Sequence, residues 1–212
     1  MNFYFEDRAD AGKKLGETLS RLDLRQPLIM ALPRGGVIIA DEVAKILHAP
    51  MDVVISRKIC APGNPEFGIG AISEDEIAHF RPEELLYFEN KEGLKEFMIL
   101  EEKAELRRRK EMYREGKPLS DMAGRTLVVV DDGLATGATA LAAATFLRTL
   151  HPAKLILAVP VGPADVGPEI RKSFDQIICL NSLENLSSVG KWYKKFNQVE
   201  DQEVIDVLHK YH

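Results

Sequence analysis

Cysteine, tryptophan and long apolar runs are scarce in this chain of 212 residues, which contains two cysteines and one tryptophan. Cys60 and Cys179 have unrelated surroundings, so the sequence favours neither a disulfide framework nor a Cys-x-x-Cys metal or redox site. No apolar run approaches the roughly 18 to 20 residues that a membrane-spanning helix needs. Acidic residues stand near the start, where a secretory signal would carry positive charge. We therefore expect a cytoplasmic protein that binds no membrane.

An excess of positive charge is also missing from the chain. The 33 acidic residues outnumber the 28 basic ones and give a net charge of −5, which disfavours a protein that coats nucleic acid. A basic run lies at residues 107–114, but glutamates at helical spacing in the same segment can pair with it. A solvated helix face is therefore favoured over an RNA-binding patch, and nucleic acid is not an expected partner.

Short β-branched runs alternate with helical patterns along most of the chain. The predicted strands are residues 27–32, 51–56, 126–131, 154–160 and 175–180. The predicted helices are residues 7–22, 37–47 and 137–150. This alternation predicts a three-layer α/β/α fold whose mainly parallel sheet has about five or six strands.

Two segments interrupt the alternation. Residues 59–73 are rich in proline and glycine, and the pattern predicts a loop that acts as a mobile lid. Residues 91–116 are highly charged and predict a long helix, ended by Gly116 and Pro118. We therefore expect one domain, with a core at about 1–58 and 120–180, an insertion at about 59–119, and a small C-terminal segment at about 181–212.

The most informative stretch reads VVVDDGLATGAT and covers residues 128–139. Asp131 and Asp132 stand at the carboxyl end of a predicted strand, where open α/β sheets bind their ligands. Gly133 and Gly137 permit a close approach of the backbone, and the amides at 135–139 would form an anion nest at a helix N-terminus. A ligand that is both a phosphate and a polyol suits this stretch. The alternative is an acidic pair that only caps the next helix.

Three common motifs are missing around this stretch. The sequence has no G-x-x-x-x-G-K-[ST], which argues against a nucleoside-triphosphate P-loop. Its glycines do not follow the dinucleotide pattern G-x-G-x-x-G. The two aspartates are adjacent, whereas an aspartyl phosphatase would need Asp-x-Asp to place both on one side of a strand.

The stretch resembles the phosphoribosyl pyrophosphate (PRPP) motif of type I phosphoribosyltransferases, in which an apolar strand is followed by two acids and a small-residue turn. The segment LPRGG at residues 32–36 stands where that family has its pyrophosphate loop, and residues 59–73 stand where it has its flexible catalytic loop. The matches span about residues 27–160. The stretches FEDRADAG and VGKWYKKFNQV are similar to those of uncharacterised bacterial members.

The resemblance implies a role for each matching residue. Asp131 and Asp132 would hold the ribose hydroxyls and help to place Mg²⁺ through water. The 5′-phosphate would contact Ala135, Thr136, Gly137, Ala138 and Thr139. The pyrophosphate would contact Pro33, Arg34, Gly35, Gly36 and Arg57. Arg34 and Lys58 would also be catalytic, by neutralising the leaving group, although Arg57 and Lys58 are equally readable as an exposed charged strand end.

The implied reaction displaces pyrophosphate from C1 of the ribose by a nitrogen nucleophile on a base acceptor. Glu66 would act as a general acid when the lid closes, or is simply a solvated loop residue. Trp192 and Tyr193 are candidates for stacking on the base, although packing of the C-terminal segment is favoured. Val159 would lie on the same rim, at the end of its strand.

The acceptor itself is not readable from the sequence. Ala135 stands where 6-oxopurine enzymes of this family usually have an acid, which disfavours that substrate class. The resemblance also implies a homodimer and a C-terminal hood over the base. The rival hypothesis is a regulatory protein that binds PRPP or a nucleotide through the same cradle and catalyses nothing.

Overall fold

The computed structural model describes residues 4–61, 64–80, 86–88 and 93–211, and for residues 64–68 and 87 it describes the backbone alone. In chain order the elements are α1 (Arg8–Leu19), β1 (Pro27–Ala31), α2 (Gly35–Leu47), β2 (Met51–Val53), β3 (Arg57–Ala61), β4 (Asn64–Ile72), β5 (Ala78–His79), α3 (Leu94–Arg114), β6 (Thr126–Val130), α4 (Ala138–Arg148), β7 (Lys154–Pro163), α5 (Pro168–Ser173), β8 (Gln176–Leu183) and α6 (Asp201–Leu208). Short 3₁₀ turns occur at Leu86–Phe88 and Gly190–Trp192.

A five-stranded parallel sheet lies at the centre, in the order β2-β1-β6-β7-β8. Side chains of β1 and β6 alternate between two apolar clusters, because successive residues of a strand point to opposite faces. Ile29 and Val128 join the cluster under α1 and α2, whereas Met30 and Val129 join the one under α4 and α5. Burial of both faces explains why these strands read as continuous apolar runs. The predicted three-layer fold is confirmed.

Most predicted elements form within a few residues of their expected bounds, with differences at strand ends. β2 ends at Val53 rather than at residue 56, and β7 continues to Pro163. The expectation that β7 ends at Pro160 was wrong. The ladder between β6 and β7 ends at the pair Val130 and Ala158. Pro160 lies beyond that pair, so its lack of an amide hydrogen removes no hydrogen bond from this ladder.

The predicted loop at residues 59–73 is instead a β-hairpin, and this expectation was wrong. β3 and β4 pair in antiparallel register, and β5 extends them into a separate three-stranded sheet. Ile59, Ile69 and Ile72 are fully buried, so the segment has an apolar side to bury despite its glycines. A side chain at Gly70 would come within 2.6 Å of the Phe80 ring, so this glycine marks a close approach rather than a loop.

The charged helix predicted at residues 91–116 is confirmed as α3, which contacts the hairpin and α6. Several of its arginines pair with carboxylates: Arg107 bonds Glu76, Arg109 bonds Glu105, and Arg114 bonds the buried Glu74. These contacts support the solvated and structural interpretation of the basic run. Among the helices that the structure describes, none is long and apolar enough to cross a membrane.

Candidate active site

Two adjacent carboxylates stand just beyond β6, at the carboxyl edge of the sheet. The Asp132 backbone N–H donates to Asp131 Oδ1 at 2.8 Å. Burial raises the pKa of Asp131 well above its ordinary value, and the charge of Asp132 raises it further. Burial also raises the pKa of Asp132, against the opposing effect of the Arg8 guanidinium. The strand end therefore holds a partly desolvated acidic pair that a cation or hydroxyl donors would stabilise.

The turn after the carboxylates leads into α4 without a capping side chain. Gly137 is the N-cap residue, with φ at +76°, a conformation that favours glycine. Nearby, the Leu134 N–H donates to the Val161 carbonyl at 2.8 Å and anchors the turn to β7. Ala135 and Thr136 are exposed. Because no side chain caps the first amides of α4, the turn presents them at the positive end of a helix, as an anion site requires.

The β1–α2 loop packs directly against the carboxylates. Its Pro33–Arg34 peptide bond is cis. A Cβ atom on Gly35 would lie 1.9 Å from Asp132 Oδ2, and one on Gly36 would lie 2.6 Å from the Val130 carbonyl oxygen. The β1–α2 loop and the end of β6 therefore approach so closely that only glycine fits at residues 35 and 36. As a result, α2 begins beside the acidic pair.

A family model described as "Phosphoribosyl transferase domain" matches residues 6–203. The chain belongs to the phosphoribosyl transferase domain family. The resemblance seen in the sequence is thereby confirmed, and the site just described lies within the matched region.

Named relatives and solved structures agree with this assignment. Two proteins of Mycobacterium tuberculosis, from strains CDC 1551 / Oshkosh and ATCC 25618 / H37Rv, are each named "Putative phosphoribosyl transferase" and are 38% identical over 208 residues. The alignments cover 98% of this chain and 47% of each relative, so the chain spans about half the length of these curated relatives. The crystal structure of TT1426 from Thermus thermophilus is 37% identical, with a TM-score of 0.79, and the match covers 100% of this chain and 99% of that one.

A more distant structure shares the fold alone. It is a hypothetical protein from Neisseria gonorrhoeae with bound ppGpp, 11% identical with a TM-score of 0.50, and the match covers 100% of this chain and 95% of that chain.

In this phosphoribosyltransferase domain, the two arginines predicted to bind pyrophosphate, Arg34 and Arg57, have different partners. Arg34 is the N-cap residue just before α2, and its guanidinium lies 3.7 Å from carboxylate oxygens of both Glu200 and Asp201. Arg57 instead donates to Glu102 of α3 at 2.7 Å. The Arg34 contacts are too long for direct hydrogen bonds, whereas Arg57 is firmly paired away from the carboxylates.

The predicted hairpin residues are placed unevenly. Lys58 lies on β3, in register with Ala71 of β4. The neighbouring Ser56 hydroxyl donates to the Thr139 carbonyl at 3.1 Å, which ties the base of the hairpin to the start of α4. The side chain of Glu66, the predicted general acid, lies outside the described residues, although its backbone belongs to β4.

The acceptor candidates are mostly packed into the protein. Val159 is fully buried in the middle of β7, so the structure does not bring it to the rim. Tyr193 is also buried and donates its hydroxyl to the Asp132 carbonyl at 2.6 Å. Burial raises the pKa of Tyr193, which keeps that hydroxyl protonated. Trp192 stacks on Tyr4 at 5.1 Å between ring centroids. These contacts favour the packing interpretation of both aromatic residues.

Sequence reasoning missed Arg8 as a residue of the site. This side chain, from the first turn of α1, bonds Asp132 Oδ2 through Nε and Nη2, each at 2.8 Å. The only available signal was the FEDRADAG stretch that contains it, which resembled other family members without indicating a contact.

The acidic pair suits Mg²⁺ better than a metal that needs a full protein cage. Within the described part of the chain, no group of three or more His, Cys, Asp or Glu side chains could hold a metal ion. Mg²⁺ keeps several waters and binds substrate phosphates alongside one or two carboxylates. Asp131 and Asp132 are the carboxylates that could hold such an ion.

Proposed function

We propose that this domain transfers the phosphoribosyl group of PRPP to a nitrogenous acceptor and releases pyrophosphate. One observation carries the proposal: an acidic pair, an uncapped helix N-terminus and a glycine loop meet at the carboxyl edge of one parallel sheet. PRPP carries hydroxyls, a 5′-phosphate and a pyrophosphate, and each suits one of these three features.

The 5′-phosphate end of the ligand would lie at the start of α4. Thr136 and Thr139 carry hydroxyls that can donate to phosphate oxygens, and the amides of residues 135–139 add further donors. Gly137 lets the backbone turn tightly, since its φ of +76° is unfavourable for other residues. The acidic pair then faces the ribose hydroxyls, because it directly precedes this turn.

The pyrophosphate would lie against the loop that contains Arg34, Gly35 and Gly36. The distance of 3.7 Å between the Arg34 guanidinium and the Glu200 and Asp201 carboxylates leaves that cation available to exchange partners. A pyrophosphate carries more charge than either carboxylate and can accept bidentate bonds, so it is the stronger partner for arginine. Lys58 on the hairpin is a second candidate cation for the leaving group.

Bond cleavage in this proposal depends on positioning and charge rather than on a titrating base. Positive charge develops on the ribose as pyrophosphate leaves, and the Asp131–Asp132 pair lies where it can stabilise that charge. Arg34 stabilises the departing negative charge. Mg²⁺, held by Asp131 and Asp132 through water, would supply neutralisation of the pyrophosphate oxygens. The hairpin and C-terminal segment would exclude water from the ribose.

The acceptor, the oligomeric state and the cellular location are further proposals that rest on the resemblance. We propose a nitrogenous base that lies under the C-terminal segment 181–212 as a hood. Ala135 disfavours a 6-oxopurine, because the resemblance implies an acid at this position in enzymes that act on 6-oxopurines. A homodimer in the cytoplasm is the corresponding expectation for assembly and location.

A pyrophosphate-release assay tests the proposed reaction. Purified protein would be incubated with PRPP, Mg²⁺ and each member of a panel of bases. We expect release with at least one base, and loss of release in Asp131→Asn. Asp23→Asn is the matched control, because Asp23 is an exposed aspartate between α1 and β1. PRPP binding without release from any base would favour the regulatory alternative, and absence of PRPP binding would reject the proposed transfer.

A further inference from the structure

The helix α6 is held against α2 at two places that differ in kind. Just beyond its end, the buried Asp41 of α2 accepts a hydrogen bond from Lys210 Nζ at 3.0 Å and one from the Tyr211 hydroxyl at 2.8 Å. Hydrogen bonds to a charged group are strong, so these two fix the chain that follows α6 on α2. The start of α6 lies beside the residue that precedes α2, which is Arg34.

At the start of α6, the contacts with Arg34 are long and electrostatic. The Arg34 Nη1 atom lies 3.7 Å from Glu200 Oε2 and 3.7 Å from Asp201 Oδ1. Neither distance permits a direct hydrogen bond, and among the residues that the structure describes none hydrogen-bonds this guanidinium. Only 25% of the Arg34 side chain is exposed. A largely enclosed cation therefore has two carboxylates nearby, while its planar set of N–H donors stays unused by those residues.

The two carboxylates differ in how firmly they are held. Asp201 accepts the Tyr113 hydroxyl at 2.5 Å and the Arg108 guanidinium at 3.0 Å, both from α3. Burial opposes the ionisation of Asp201, but these two hydrogen bonds and the charge of Arg108 outweigh it and lower the pKa of Asp201 below its ordinary value. The Glu200 side chain, by contrast, is 63% exposed. Asp201 is thus a fixed anion beside Arg34, and Glu200 is one that can turn into solvent.

The same guanidinium is the cation that the proposed reaction assigns to pyrophosphate. Pyrophosphate carries two adjacent anionic groups and can bond arginine through two parallel N–H···O contacts. Glu200 and Asp201 also present two adjacent anionic groups to Arg34, but at a distance that forms no such bond. A ligand that takes Arg34 must therefore overcome the attraction of these carboxylates and their repulsion of its own phosphates.

We propose that the first residues of α6 form an internal counter-anion for Arg34, which competes with the pyrophosphate group of a ligand. Glu200 and Asp201 hold the guanidinium in the ligand-free protein and release it when pyrophosphate binds. This inference rests on the proposed function and adds a control on its leaving-group site. Both are positioning residues, since they act on the ligand through Arg34, and each lowers the affinity for PRPP.

Calorimetric titration with PRPP in the presence of MgCl₂ tests the competition. Glu200→Gln keeps the shape of the side chain and removes its charge, so it should tighten PRPP binding about two- to fivefold, the range expected for a partly exposed ion pair. The gain should vanish in an Arg34→Gln background, because the two side chains act through one interaction. Ribose 5-phosphate, which lacks the pyrophosphate, should bind wild type and Glu200→Gln equally well.

Asp206→Asn is the matched control variant. It removes the same charge from α6 six residues further along, which at 1.5 Å of helix rise per residue is about 9 Å from Glu200 along the axis. That distance exceeds the Debye length at physiological salt, so PRPP affinity should stay at the wild-type value. Asp201→Asn is a second test variant, which keeps an oxygen for the Tyr113 hydroxyl and should also tighten binding. The test therefore does not depend on one substitution, and melting curves would show which variants are folded.

The possible outcomes separate this inference from the proposed function. An unchanged or weaker affinity in Glu200→Gln, a gain that survives in the Arg34→Gln background, or an equal gain for ribose 5-phosphate would overturn the counter-anion alone. A wild-type protein that gives no heat with PRPP contradicts the transfer reaction and the counter-anion together. Tighter binding in Glu200→Gln, without pyrophosphate release from any base, supports the counter-anion and contradicts the transfer reaction.

Discussion

The sheet-edge site and the region around α3 handle polar groups in opposite ways. Around α3, each basic side chain from Arg107 to Arg109 has a carboxylate partner. Beneath them, the buried Glu74 accepts from Arg114 and from the Ile55 amide. At the sheet edge, by contrast, α4 starts without a capping side chain. A high density of charge marks the structural region here, whereas helix-start amides without a side-chain cap mark the site.

The largest expected effect lies in the charged region. Glu74→Ala would leave Arg114 buried without its carboxylate partner and with one nitrogen, Nε, that already lacks a hydrogen bond. We expect a loss of about 3–5 kcal/mol in the free energy of unfolding, measured by urea denaturation. Glu76→Ala is the matched control, because it removes an exposed pair with Arg107 and should cost less than about 1 kcal/mol. Equal losses in the two variants would contradict the contrast between buried and exposed pairs.

A smaller loss in the free energy of unfolding is expected from glycine substitutions at the sheet edge. Gly36→Ala would force a Cβ atom to 2.6 Å from the Val130 carbonyl, and backbone cannot move aside easily. Gly35→Ala would meet the Asp132 carboxylate, which can rotate only by leaving Arg8. We expect losses of about 1–3 kcal/mol, larger for Gly36→Ala, in urea denaturation. The reverse order would show that the Asp132 carboxylate is held more rigidly than the strand backbone.

At Thr136, we expect a substitution to change PRPP binding without changing the stability of the fold, unlike substitutions in the charged region around α3. Thr136 is exposed, and its hydroxyl lies 3.5 Å from the Ala138 amide, a contact too long to stabilise the fold. Thr136→Ala should therefore alter the free energy of unfolding by less than about 0.5 kcal/mol. It should weaken PRPP binding by about tenfold in calorimetry, because a donor to the phosphate is lost. An unchanged affinity would exclude this hydroxyl from the phosphate site.

The smallest effect concerns acid pH and the surface of α3. Hydrogen bonding from Arg108 lowers the pKa of Glu105 from 4.5 to about 2. A carboxyl whose folded pKa is depressed stabilises the fold above its unfolded pKa, and this contribution is lost as the pH falls from about 4.5 to 2. Arg108 and Glu105 are partly exposed, and solvent screens the pair, so we expect a loss below about 1 kcal/mol. Urea midpoints for wild type and Glu105→Gln should differ at pH 6 and converge near pH 2.

The sequence predicts the central sheet well because its inner strands β1, β6 and β7 are buried on both faces. β6 and the acidic pair that follows it are adjacent in the sequence, so both could be predicted without knowing which distant residues they contact. The hairpin was mistaken for a loop because Gly70 and its neighbouring prolines are typical of turns. What the sequence hides is that Gly70 makes room for the Phe80 ring, a contact that only the folded sheet reveals.

Arg8 could not be predicted as a site residue for a related reason. It lies 124 positions from Asp132 in the chain, and its guanidinium finds the carboxylate only when α1 packs across the sheet edge. The same limit applies to Tyr193, whose hydroxyl bonds the Asp132 carbonyl. Val159 was wrongly predicted to lie at the rim of the site. The prediction assumed that its strand ends at Pro160, whereas β7 continues to Pro163 and Val159 is buried in its middle.

The bridge between Phe5 and Tyr193 has a consequence for the order in which the protein assembles. Phe5 donates its amide to the Trp192 carbonyl at 2.9 Å, and the Lys194 amide donates to the Phe5 carbonyl at 2.8 Å. Contacts this distant in sequence close very large loops, which makes them late and slow steps in folding. On the ribosome, the turn between β6 and α4 can form once β7 has emerged, because the Leu134 N–H bonds the Val161 carbonyl. The bond from the Tyr193 hydroxyl to the Asp132 carbonyl must wait until Tyr193 has left the exit tunnel.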